Sequence, residues 1–211
     1  MTLFPRLTGW VFRRGVSPWS DPKPIREELF SIERMREHAR SLAVAQGVTA
    51  EPIKGLALVE RLGDNAAVLL DCHRAIAKAA DEGGAITPAA EWLLDNYHLV
   101  ERQIHAVRSD LPSSYYWQLP KLADGPFAGY PRVFGLTWAF VAHSDSRFDP
   151  EMFRAFVRAY QEVQPLAIGE LWALAITLRI VLIENLRRLA LGVVGNRTAR
   201  LLADLVADRL L

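Results

Sequence analysis

Residues 87–111, TPAAEWLLDNYHLVERQIHAVRSDL, decide the fold class. Thr87 is suited to cap a helix N-terminus, and Pro88 fits the first helical position, where its missing N–H is not needed. Leu93, Tyr97, Val100, Ile104, Val107 and Leu111 follow at steps of four and three, which puts them on one helical face; Pro112 ends the pattern. The opposite faces carry Glu91, Asp95, Asn96, His98, Glu101, Arg102 and His105, a dense set of groups that ionise or hydrogen-bond. What that polar stripe meets is the main structural question the sequence poses.

On either side of this stretch the same period recurs. Residues 25–46 read as a helix with Leu29, Ile32, Met35, Ala39, Leu42 and Ala43 inward, ended by Gly47. Residues 53–81 read as a second helical region that Gly63 divides and Gly83-Gly84 closes. Residues 113–130, SSYYWQLPKLADGPFAGY, break the periodicity and reduce to a short helical turn followed by loop. Pro131 opens a helix through Phe134, Trp138 and Val141 to about Ser144. Asp149-Pro150-Glu151 starts the next, with Phe153, Phe156, Val157 and Tyr160 on its buried side and Pro165 after it.

Residues 166–194 give the longest apolar helix. Between 171 and 183 it is hydrophobic on all sides except at Thr177 and Arg179, the mark of a helix surrounded by others. A guanidinium in that position costs several kcal/mol unless a carboxylate meets it. The expected arrangement sets this helix beside 87–111, with Arg179 and Asn185 joining Glu91, Asp95, Asn96, His98 and Glu101 in a structural polar network. Glu184 has Arg187 or Arg188 one turn on. A further helix restarts at Asn196 and stops at Leu211 in mid-pattern. Its Leu201, Leu202, Leu205, Val206, Leu210 and Leu211 call for more chain or a partner helix. No strand alternation of useful length exists. The expectation is an all-α, irregular array of about six to eight helices with an extended N-terminal arm. It divides into 1–24 (arm), 25–194 (helical domain) and 195–211 (C-terminal helix).

Composition narrows the function. With 211 residues, 51% of them hydrophobic, the chain can bury one sizeable core. Twenty-five basic residues against 24 acidic ones leave no phosphate-coating surface for nucleic acid. The single cysteine, Cys72, excludes an internal disulfide and reads as a buried inert thiol. Arg6, Arg13 and Arg14 precede no apolar run, so no export signal is read. Arg179 and flanking charges exclude a membrane span at 171–183, and the isolated chain reads as a soluble helical domain.

The search for chemistry yields no catalytic residue. Glu91, Asp95 and His98 project together, and Asp95/His98 has the i, i+3 spacing of carboxylate-bridged di-iron bundles. Such bundles require a second pair, and Glu184 is followed at that spacing by Arg187; a small metal-binding helical protein on Glu91, Asp95 and His98 is therefore a lesser alternative. Tyr115, Tyr116, Trp117 and Tyr130 with Arg132 offer a stacking surface for a carbohydrate or nucleotide sugar, against the reading that these rings pin a long connection to the core. No P-loop, dinucleotide fingerprint or nucleophile elbow is present.

Three runs carry a resemblance. PIREELFSIERMREHARSLA (24–43), ITPAAEWLLDNYHLVERQI (86–104) and LPKLADGPFAGYPRVFGLTWAFVAHSDSRFDPEMFRAFVRAYQEVQPLAIGELWALAITLRIVLIENLRRLA (119–190) together look like the N-terminal cytosolic helical region of cyclic β-1,2-glucan synthases. These are large bacterial inner-membrane proteins that join such a region to a membrane-embedded, UDP-glucose-dependent glucosyltransferase and a glycoside-phosphorylase-like part. The resemblance implies a non-catalytic scaffold or regulatory domain on the cytoplasmic side of the inner membrane. Its partners would be the transferase and membrane parts of the synthase, and its product osmoregulated periplasmic glucans. UDP-glucose and a divalent metal are implied only for the transferase part, whose acidic motifs and membrane helices are absent from this chain. No catalytic residue of the family is carried over to any position here.

Overall fold

The computed structural model describes residues 19, 21–49, 51 and 57–207. Among them are seven helices: α1 (Ile32–Ala45), α2 (Leu58–Asp81), α3 (Pro88–Asp110), α4 (Ser113–Gln118), α5 (Arg132–Ser144), α6 (Pro150–Gln161) and α7 (Ile168–Ala207). Two short strands, β1 (Val48–Thr49) and β2 (Lys121–Leu122), pair antiparallel with Val48 opposite Leu122. The protein is mostly α. Local signals set several ends: the Thr87 side chain accepts from Ala90 N, and Asp149 accepts from Glu151 N and Met152 N.

Helix α5 is the wrapped helix of this fold, with every residue from 132 to 143 buried. α7 packs against α5, α2 and α3, while α1 packs on α6 and α5 and α2 on α3. Leu93, Val100, Ile104, Val107 and Leu111 are buried as the spacing requires; Tyr97 is half-buried and stacks on His73.

Four expectations change. Residues 25–31 are not helical, and Leu29 is exposed. Glu27 N donates to Ala142 O (2.8 Å) and Phe30 N to His143 O (3.2 Å), so this segment's amides satisfy carbonyls left open at the α5 C-terminus. Ser31 then caps α1. Gly63 does not divide α2, which runs unbroken from Leu58; residues 52–56 lie outside the described residues. The third change concerns α7, which continues without a break through Gly192, Gly195 and Asn196. Glycine at an exposed helical position lowers helix propensity by about 1 kcal/mol, too little to stop a helix held by packing over its preceding turns. The side chains of Leu201, Leu202, Leu205, Val206, Leu210 and Leu211 lie outside the described residues.

The fourth change is angular. α7 is not enclosed at its start, because Ile168 and Trp172 are exposed and Leu171 partly so. Most of the 1–24 arm lies outside the described residues, but Trp19 packs on Tyr130, Phe134 and Trp138 and donates from Nε1 to Tyr130 OH (2.7 Å).

Candidate functional site

Two buried arginine–carboxylate centres lie along α7. The first forms where α2 crosses it. Glu184 is fully buried, and its Oε2 accepts from Arg61 Nε (2.8 Å) and Asn65 Nδ2 (2.9 Å). Its Oε1 accepts from Arg61 Nη2 and Arg188 Nε, each at 2.9 Å. Arg188 also donates to Lys23 O (2.9 Å), and Arg187 Nη1 stands 4.0 Å from the carboxylate. Aromatic faces complete the shell: Arg61 sits 4.9 Å from the Trp19 ring and Arg188 5.2 Å from that of Trp138. Burial pushes the Glu184 carboxyl up, but the hydrogen bonds from Arg61 and Arg188 outweigh it and hold the group below its ordinary value.

The second centre joins α5 to the start of α7. Arg132 grips Glu170 with two bonds, Nε to Oε1 (2.7 Å) and Nη2 to Oε2 (2.6 Å), and also donates to Gln164 Oε1 (2.8 Å) and Pro165 O (3.1 Å). Glu170 Oε2 accepts from Ala167 N as well (3.0 Å), an acid placed at the positive end of the helix. Gln46 links this centre to α6, accepting from Tyr160 OH (2.9 Å), whose burial pushes the phenol up to about 12. The bidentate geometry is the strong form of an arginine–carboxylate contact, and in both centres it is spent inside the fold.

The polar network expected on α3 does not assemble. Glu91, Asp95, His98 and Glu101 are exposed, and Asn96 donates to its own helix at Trp92 O (2.9 Å). α3 and α7 do lie side by side, yet they meet through α3's apolar face, which turns its polar stripe to solvent. Arg179, expected in the interior, is two-fifths exposed and pairs with Asp110 (3.2 Å) at the C-terminal end of α3. Asn185 serves elsewhere, accepting from Ile25 N (2.6 Å) and donating to Ser146 Oγ (2.6 Å). The missed partners were Arg61 and Asn65, and the signal was present: both fall within the apolar stripe Leu58, Leu62, Leu69, Cys72, Ile76 of α2.

The stacking group is likewise dispersed. Tyr116, Tyr130 and Arg132 are buried, Tyr115 donates to Gly169 O, and of the five only Trp117 is exposed. Lys121 explains part of this: its ammonium lies 4.0 Å from the Tyr116 ring centroid and donates to Tyr116 O, filling the inner face of that ring. Burial pushes Lys121 down to about 8. Among the described residues no group of three His, Cys, Asp or Glu side chains is placed to hold a metal, so Glu91, Asp95 and His98 do not converge on one. Cys72 is buried, and burial raises its thiol above the ordinary value.

An open depression of about 420 Å³ lies between α6 and α7. Phe148, Phe153, Val157 and Leu174 form its apolar floor, and Arg154 and Arg158 line its rim. No described helix is long and apolar enough to cross a membrane.

No family model matches the chain. Over 190 residues, 89% of its length, it is 45% identical to the cyclic beta-(1,2)-glucan synthase NdvB of Rhizobium meliloti (strain 1021), of which it covers 7%. Identity at that level along nearly the whole chain, against so small a share of the relative, means that this protein matches one region of a much larger cyclic β-1,2-glucan synthase.

Proposed function

We propose that this chain is a non-catalytic scaffold or regulatory region of a cyclic β-1,2-glucan synthase, acting on the cytoplasmic side of the bacterial inner membrane beside the glucosyltransferase and membrane parts. The observation that carries the reading is the 45% identity to NdvB. The internal chemistry supports it: the buried carboxylates Glu184 and Glu170 each have both oxygens engaged by guanidinium and amide donors of this same chain. Acids so occupied fix helices in place and offer no free oxygen to a substrate. UDP-glucose and its metal belong, in this reading, to the transferase part.

The test is made in a full-length synthase carrying this region. E184Q and R132M should lower the amount of protein in step with glucan yield, as loss of a scaffold does. Incubation of the isolated chain with UDP-glucose and magnesium or manganese should release no UDP. UDP release above that of a heat-unfolded control would overturn the non-catalytic reading.

A further inference from the structure

We propose that the depression between α6 and α7 is a docking site for an acidic polypeptide segment that inserts an aromatic or aliphatic side chain onto Phe148, Phe153, Val157 and Leu174 and sets two carboxylates against Arg154 and Arg158. Three observations carry this. The floor is apolar and open, with Phe148 51% exposed at its edge. Arg154 and Arg158 stand one helical turn apart on the exposed side of α6, and neither has a carboxylate within ion-pair distance among the described residues. Among the other surface arginines, Arg26, Arg34 and Arg40 pair with Asp145, Glu28 and Glu162, while Arg36, Arg102, Arg108 and Arg147 have no such pair among the described residues; Arg154 and Arg158 differ from these in standing together beside the apolar depression.

Two unmatched cations beside a concave apolar floor are complementary to an amphipathic segment of opposite charge. Side chains one turn apart on a helix have Cβ atoms about 5–6 Å from each other, so acids at i and i+4 of a docked helix would meet both guanidiniums. Such an apolar anchor ringed by charges gives affinity from the floor and register from the rim. The source of the segment rests on the function proposed above: the chain covers 7% of its relative, and the remaining polypeptide supplies the acidic segment.

The experiment uses the full polypeptide that carries this chain, expressed in cells with Phe148→benzoylphenylalanine and irradiated, the cross-linked peptide being mapped by mass spectrometry. A cross-link to one acidic segment of the same polypeptide is expected. It should fall at least tenfold in R154E/R158E and return when the mapped acids are changed to lysine. Both arginines are exposed, so the charge-reversed polypeptide should accumulate to the level of its parent. A cross-link to lipid or to the same surface of a second copy, an unchanged cross-link after charge reversal, or none at all would overturn the docking site. A charge-dependent cross-link to an acidic segment of a separate protein would uphold the site and defeat the synthase reading.

Discussion

Replacing Glu184 by glutamine isolates the contribution of one buried carboxylate. The side chain is fully buried and receives four hydrogen bonds, two from Arg61 and one each from Asn65 and Arg188. Glutamine keeps the shape, but it removes the negative charge and turns one acceptor into a donor facing donors. Two buried guanidiniums, Arg61 and Arg188, then lose the charge of the carboxylate they share. Breaking a buried ion pair from one side costs about 3–5 kcal/mol, a large part of the 5–15 kcal/mol that holds a typical domain. For a chain of this size that corresponds to a fall in Tm of roughly 6–20 °C. Urea unfolding followed by far-ultraviolet circular dichroism gives the loss directly from the shift in midpoint at constant slope. The pH dependence has a definite sign. Because the folded carboxyl lies below its unfolded value, its contribution is present above the unfolded pKa and disappears as pH falls through the folded one; E184Q should lack that acid-sensitive component. A triple change, E184L/R61M/R188L, should recover much of the loss, since apolar groups of similar volume replace such a centre at little cost. A loss below about 1 kcal/mol in E184Q would refute the view that the Glu184 carboxylate stabilises the buried guanidiniums beside it.

Three further expectations follow from particular contacts. R179M should cost less than about 1 kcal/mol, because its pair with Asp110 is half exposed; a loss of 3 kcal/mol or more would restore the interior position expected from sequence. Lys121 titrates near 8 when folded against 10.5 when free, so the unfolded chain binds more protons between those values and stability should rise with pH from 8 towards 10, by at most about 3 kcal/mol. Unfolding at pH 7.5 and 9.5 checks this, and K121M should flatten the slope. In G135A the new methyl would lie 2.9 Å from Gln46 Nε2 and 3.0 Å from Leu122 Cδ1, crowding α5 against β2; a destabilisation of about 1–3 kcal/mol is expected from thermal melts.

Local chemistry carried most of what could be read from sequence. The Thr87 and Asp149 caps, the prolines after them and the apolar steps of α3 depend on residues within a few turns, and they fall where expected. Arg179 shows where such reading fails. Its neighbours in sequence are apolar, but its angle around α7 puts it on the open side with Ile168, Trp172 and Ala175, and angle is set by packing partners distant in sequence. Glu184 met Arg188 as the i, i+4 spacing suggests, whereas Arg61, 123 residues away, required knowing that α2 crosses α7. The extent of α7 was hidden for a related reason, since Gly192, Gly195 and Asn196 weaken a helix in isolation and not one already nucleated by its buried half.

α7 is a rod of 40 residues, about 60 Å at 1.5 Å per residue. Arg132 clasps it at Glu170 and Arg61 at Glu184, fourteen positions and about 21 Å further along. Sliding by one residue would displace both acids by 1.5 Å and turn them by about 100°, unfastening both clasps together. The rod is therefore keyed both in translation and in rotation against α2 and α5.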